Sequence, residues 1–582
     1  IMSDFNPLDR AKVAVHRSSF DLSSKKLFTA KIGEILPCYW QIAIPDTKYR
    51  ISSDWFTRTV PVNTAAYTRI KEYYDFYAVP LRLISRALPQ AFTQVSDYVT
   101  SAVSNSANTE QLSSVPYAPV GNISAEIQAC VAANTVDDAG FGFAYGSCKI
   151  LDMLGYGSFI GSGNSKKKDI TMQYLGLDTT SLSDSQNPLI YGTSVNLNLL
   201  PIFAYQKIYF DFFSNSQWEK HLAYSYNVDY WDGKSSVEIS ADMIKLRYAN
   251  YPKDYFLGVL PSSQYGSVAS FPSSLMPSEP ASRVVSSPGV SGGTNSAVNN
   301  PANSTAIVSS GSYSSIRGLQ INSDLSALSI RATEYLQRWK EVVQFSSKDY
   351  SDQMAAQFGI KAPEYMGNHA HYIGGWSNVI NINEVLNTNL TADNSQAVIA
   401  GKGVGSKSGH TINYDCGAEH QVIMCVYHAV PLLDWSLKGH NPQLLCTSIS
   451  DFPQPAFDQL GMQPVPSLAL NNSPSSATGN IGYNLRYWQW KSAVDTVHGA
   501  FRPAAAYQSW VAPLQGSQVQ VSGQSSLSYQ SFKIRPQQLN SIFEPQISTR
   551  DYNYNVAFDQ LLCNVNFQVY AVQNLDRNGL PY

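Results

Sequence analysis

Residues 72–83 read Glu-Tyr-Tyr-Asp-Phe-Tyr-Ala-Val-Pro-Leu-Arg-Leu, a tyrosine-rich run closed by a Val-Pro-x-Arg-Leu turn. Aromatic and β-branched residues in such density favour a strand, and Pro80 marks its end, because a missing amide is tolerated there. Segments of the same kind lie far away on both sides. From Ile32, the positions Leu36, Cys38, Trp40, Ile42 and Ile44 are apolar at every second place. Near the other end Cys563, Val565, Phe567, Val569 and Ala571 alternate with Asn564, Asn566, Gln568 and Tyr570, the period of a strand with one buried face. Gln421 to Val430 is apolar on both sides, as in a strand covered on both faces. Pro37, Pro45, Pro61 and Pro431 fall at strand ends or bulges. Strands near both termini and strands between them predict an all-β dominated chain: a single antiparallel β-sandwich of the jelly-roll kind, with long loop insertions and a few short helices.

Helix is sparse. Leu325, Leu328, Ala332, Tyr335, Leu336, Trp339, Val342 and Val343 recur at steps of three and four, which predicts a helix over about 325–344 with one stripe packed on the sandwich. A second helix is expected from Asp349 to Phe358. Between Ser262 and Ser315 the chain turns to Ser, Gly, Asn, Pro and Ala, with Glu279 and Arg283 its only charges. Such a stretch has too little apolar surface for a core of its own and reads as an exposed insertion at about 255–320. Residues 100–200, with Lys166 to Lys168, read as a second, better-ordered insertion.

Charged residues make up only 14% of the 582-residue chain, against roughly 25% in soluble proteins, while 36 tyrosines help bring aromatics to 12%. Such a chain has few solvated faces, and tyrosine, an apolar ring with a polar tip, suits surfaces buried between subunits. Net charge is −3, so the whole molecule is not drawn to nucleic acid. Over residues 1–31, however, Arg10, Lys12, Arg17, Lys25, Lys26 and Lys31 stand against Asp4, Asp9 and Asp21, an excess of +3 that reads as a modest basic arm. The seven cysteines contain no C-x-x-C pair and read as scattered reduced thiols, the state expected in a reducing cytoplasm. No window approaches the roughly 18 apolar residues of a membrane span, so membrane insertion is not expected.

Chemistry-bearing motifs mostly fail on spacing. Gly401 to His410, GKGVGSKSGH, has Ser406 where a phosphate loop needs its second glycine, and reads as a turn. Gly289 to Gly293 matches G-x-S-x-G but lies in the low-complexity insertion. Asp551, Asn553 and Asn555 start like a calcium loop, yet Val556 and Leu562 stand where glycine and glutamate belong. Glu364, His369 and His371 lack further spaced ligands. No catalytic residue, metal or cofactor is therefore assigned. The competing function class, a carbohydrate-binding or carbohydrate-cleaving β-sandwich, needs an aromatic cleft with a carboxylate pair that only spatial separation could identify.

Four regions in order resemble the major capsid proteins of the Microviridae, in particular gokushovirus-like members. They are FTAKIGEILPCYWQIAIPDTKYRI from Phe28; the run at 72–83, with Tyr73, Tyr74, Phe76, Val79, Pro80, Arg82 and Leu83; IRATEYLQRWKE from Ile330 with the following QFGIKAPEYMGNHAHYIGGWSNVININEV; and EHQVIMCVYHAVPLLDW from Glu419. The resemblance implies a homo-oligomer, an icosahedral shell around a single-stranded DNA genome, assembled in a bacterial cytoplasm and found in the virion. It implies partners too: a small basic packaging protein, minor pilot or spike proteins, and a host surface receptor. On this reading residues 1–31 form an arm on the inner face whose six cations meet DNA, and residues 32–582 form one capsid domain. The insertion bearing Ser262, Glu279, Arg283 and Ser315 would then protrude from the shell.

Overall fold

The computed structural model describes residues 16–60, 62, 67–84, 115–156, 195–219, 238–269, 327–360, 368–386, 399–436, 439–470, 479–503, 505–515, 527–539, 542 and 559–577. Its centre is a ten-stranded antiparallel sheet. The strands are β1 (Ser18–Asp21), β2 (Ser24–Ala30), β3 (Leu36–Ala43), β4 (Lys48–Thr59), β5 (Ile70–Pro80), β6 (His371–Leu386), β7 (Ile399–Ser408), β8 (Ile412–Asp415), β9 (Gln421–Pro431) and β10 (Leu561–Gln573). The order is β1-β10-β4-β7-β6-β5-β9-β3, with β2 also on β10 and β8 on β4.

One long strand turns this sheet into two facing layers. His371 to Ile380 of β6 pair with β5, whereas the ladder from Asn381 onward runs to β7, so β6 passes from one layer to the other between adjacent residues. The layers then meet through rings: Phe76 of β5 lies 5.9 Å from Phe567 of β10, Trp55 of β4 is 5.2 Å from Tyr74 of β5, and Phe28 of β2 is 5.2 Å from Tyr427 of β9. Aromatic rings of this size fill the roughly 10 Å between packed sheets. The result is the antiparallel sandwich of jelly-roll type that the strand periodicities predicted.

Local patterns account for the individual strands. In β10 every second residue from Leu561 to Gln573 is buried, and the residues between are exposed or half-buried. β9 is buried on both faces because its outer side is covered as well. The covering element is α3 (Leu200–Ile208), introduced after α1 (Val120–Ala132) and α2 (Phe143–Leu154), and continued by a wide turn at Tyr209–Phe213. Phe213 packs edge-on to His428 of β9 at 5.0 Å, and Phe212 lies 4.6 Å from Tyr77 of β5. β3 ends the order, and its ladder with β9 slips one residue between Tyr39 and Pro37, which accommodates the missing proline amide.

Three expectations change. Gly401 to His410 is not a turn, since most of it forms β7. Its glycines answer crowding: a Cβ at Gly403 would lie 2.5 Å from Thr59, and one at Gly405 would lie 3.0 Å from Glu72. The helices at 327–345 (α4) and 350–358 (α5) form where the 3.6-residue period placed them, the latter capped by Asp349. Yet the stripe of α4 does not pack on the sandwich, because its buried residues are Ser329 and Gln344. Finally, Ser18–Asp21 and Ser24–Ala30, expected within a basic arm, are sheet strands paired with β10.

Candidate functional site

The stretch at 72–83 is structural in its chemistry. Even-numbered residues of β5 point between the layers: Tyr74 and Phe76 are fully buried among rings, and Glu72 accepts hydrogen bonds from Trp55 Nε1 at 2.9 Å and Thr57 Oγ1 at 2.7 Å. Burial raises the Glu72 carboxyl above its ordinary range, against the pull of these donors. On the other face Tyr73 stacks on His428 at 4.7 Å with rings nearly parallel. Burial lowers His428 to about 3 and raises its neighbour Asp75 to about 6, so these two, 3.9 Å apart, face each other as neutral histidine and weak acid rather than as an ion pair. Val79 is buried, Pro80 ends the strand, Leu83 is buried just beyond it, and Arg82 reaches across with Nε 3.0 and 2.9 Å from the carboxylate oxygens of Glu419.

The cations assigned to the arm separate. Arg10 and Lys12 lie outside the described residues. Arg17 pairs with Asp46 and donates from Nε to Asn574 Oδ1 at 2.7 Å. Lys25 is exposed on β2. Lys26 turns the other way, half-buried, and donates to the carbonyl of Met153 at 2.5 Å; burial lowers its ammonium.

Lys31 leaves the DNA-facing set altogether, being 1% exposed. Its ammonium donates to Tyr145 Oη at 2.5 Å and to Asp559 Oδ1 at 2.9 Å. Lys149 of α2 donates to Glu34 Oε2 at 2.6 Å and to Asp559 Oδ2 at 3.1 Å. Tyr145 donates in turn to Glu34 Oε1 at 2.7 Å. Two ammoniums thus balance two carboxylates around one phenol, in a site that ties the start of the chain, the 115–156 segment and the C-terminal strand together. Burial by itself would raise Asp559; the ammoniums of Lys149 and Lys31 overcome it and hold the carboxylate far below its ordinary range. Desolvation keeps Lys31 below the usual lysine value, with Asp559 pulling it back up.

A surface that was not assigned from sequence lies across β2, β10 and β4. Cross-strand register aligns Lys25 with Asn566 and Asp54, Leu27 with Asn564 and Phe56, and Thr29 with Leu562 and Arg58. Arg58 sits 4.7 Å over the Phe56 ring. The Leu27 and Thr29 rows line a shallow concavity of about 390 Å³. The alternation in KYRISSDWFTRT, which puts Lys48, Arg50, Phe56 and Arg58 on one face of β4, was the pattern that could have revealed it.

Of the expected protrusion, Ser262 is half-buried and donates to the carbonyl of Gln264 at 2.9 Å, while Glu279, Arg283 and Ser315 lie outside the described residues. Glu364 does too; His369 lies 4.0 Å from Asp211. Among the described residues no three His, Cys, Asp or Glu side chains gather as a metal site, all seven cysteines are free thiols, and no helix is long and apolar enough to cross a membrane.

Comparison with known proteins gives two matches. Residues 162–574 match a family described as "Capsid protein (F protein)". Capsid protein VP1 of Chlamydia phage 1 is 24% identical over 204 residues, covering 33% of this chain and 34% of the relative. The alignment thus spans about a third of that relative's length.

Proposed function

Because the chain belongs to the capsid protein (F protein) family, we propose that it is the major capsid protein of a small phage, whose copies close into an icosahedral shell around single-stranded DNA. The family match over residues 162–574 carries this reading. Heterologous contacts, one patch docking on a different patch of the neighbour, close rings about symmetry axes. Many modest interfaces then sum to a stable particle. Low charge and the tyrosines that stay exposed in the subunit, among them Tyr67, Tyr335, Tyr350, Tyr372 and Tyr570, support the reading, as surface that is buried on assembly.

The face of β2, β10 and β4 is the part of the described chain best suited to meet the genome. Lys25, Arg50 and Arg58 would neutralise phosphates, and Phe56 would stack an unpaired base beside the guanidinium. Arg10 and Lys12 extend the same role. So few cations leave most of the genome charge to a separate small basic packaging protein. The insertion beyond Ser262 is assigned to the outer surface, toward spike or pilot proteins and the host receptor; its expected start at about 255 moves, because Tyr255, Phe256, Leu257, Val259 and Leu260 are buried in the core.

Electron microscopy of the purified chain tests the main reading: uniform spherical particles are expected, and a lone subunit under all conditions refutes it. Substituting Lys25, Arg50 and Arg58 with Gln should leave particle yield intact and lower the DNA packaged per particle. Unchanged DNA content removes this face from the assignment.

A further inference from the structure

We propose that the outward stripe of α4 is a contact surface for a second copy of this chain, an inference that rests on the shell-forming reading above. The helix is mounted with its polarity inverted. Residues advance roughly 100° each around a helix, so Leu328, Tyr335, Leu336 and Trp339 share one face, and Ser329, Gln337, Lys340 and Gln344 share another roughly 120° away. The polar face is the one turned toward the rest of the chain. Gln337 accepts from the backbone amide of Ala269 at 3.1 Å, Lys340 donates to the carbonyl of Ser267 at 2.7 Å, and Gln344 is buried. The apolar face looks outward: Leu328 is 77% exposed, Tyr335 67%, Leu336 43% and Trp339 46%. A helix that serves only its own domain does the reverse.

The area involved matches a partner of this size. On α5, which follows directly, Tyr350 is 69% and Phe358 66% exposed. With large side chains at roughly 150–250 Å² each, the exposed parts of these six residues come to roughly 550–900 Å², from the upper end of the ~300–600 Å² of the largest patch on a typical monomer to the ~800 Å² each partner contributes to a standard interface. The flank of the stripe carries Arg331, Glu334 and Arg338, a rim of mixed sign that suits another protein surface better than a uniformly anionic lipid or nucleic acid. Within the chain, the adjoining 270–326 segment holds Phe271 and Tyr313 as its only aromatic residues. A second copy is rich in such surface, and a shell supplies copies in fixed register.

Two measurements on the full chain decide it. A benzophenone amino acid at position 335, aromatic in place of aromatic, should crosslink one chain to another in purified particles; crosslinks confined within one chain, to 270–326 or elsewhere, overturn the proposal. The double change Leu336→Arg with Trp339→Arg should leave the circular dichroism of the subunit unchanged and reduce particle yield at least tenfold, and full yield from that variant overturns it. If the unaltered chain forms no particles, the shell reading itself falls, whereas particles from both the unaltered and the double-variant chain sink only the role of α4.

Discussion

Replacing Asp559 by Asn tests whether the buried charge cluster is a structural lock. The change keeps size and hydrogen-bonding capacity but leaves Lys31 and Lys149 facing Glu34 alone, an unbalanced positive charge at a site where both ammoniums are 1% exposed. Removing one partner of a buried pair costs about 3–5 kcal/mol. A ceiling follows from the lysine itself, which can escape by shedding its proton: from an unfolded pKa of about 10.4, at about 1.36 kcal/mol per unit, that escape costs about 4.6 kcal/mol at pH 7. The same arithmetic sets the pH dependence. In the variant Lys31 loses the Asp559 charge that raises it, so its folded pKa falls further below its unfolded value; the penalty is complete at low pH and is relieved as pH rises toward the unfolded pKa, with a ceiling of about 1.9 kcal/mol at pH 9. Urea unfolding of the full chain, followed by tryptophan fluorescence at both pH values, reads the defect directly. Adding Lys31→Met to Asp559→Asn restores charge balance around Lys149 and Glu34, and should recover at least about 2 kcal/mol. A single variant that loses less than about 1 kcal/mol, or a double variant weaker than the single, would refute the reasoning.

Two further outcomes follow from the sandwich. Phe76→Ala removes a ring wedged between Phe567 and Trp376, at 5.9 and 5.3 Å, and should cost about 3–5 kcal/mol in the same urea titration; a loss below ~1 kcal/mol would mean that the layers do not meet there. His428, lowered to about 3 by burial, contributes stability that is complete above its unfolded pKa of about 6.5 and is lost as pH falls through the window down to 3. Asp75, raised to about 6 beside it, acts oppositely: its contribution is complete below about 3.9 and is lost as pH rises through 6. The stability deficit of His428→Asn should therefore shrink steadily between pH 6.5 and 4, and a pH-independent deficit contradicts a neutral buried imidazole.

What could be read from sequence, and what could not, divides by whether the deciding partner is local. The alternation of Cys563, Val565, Phe567, Val569 and Ala571 announced β10 because one-sided burial imposes its period on a strand whatever lies opposite. Lys31 gave no such notice. Its carboxylate partner Asp559 is 528 residues away, and an isolated lysine among other cations looks like a solvated arm until the fold delivers a counter-charge. The glycines of β7 misled in the same manner: Gly403 and Gly405 resemble a flexible turn, and only the side chains of Thr59, Ile380 and Glu72 packed against them explain why no larger residue fits. The helix at 327–345 is the most instructive case. Its period located the element closely, yet period records only that one face is to leave water, not which body covers it. Applied to a chain that folds alone, the stripe would have to pack on the sandwich. In a chain of a capsid family the same stripe can be satisfied between molecules, and its exposure in the single subunit then measures the driving force held back for assembly.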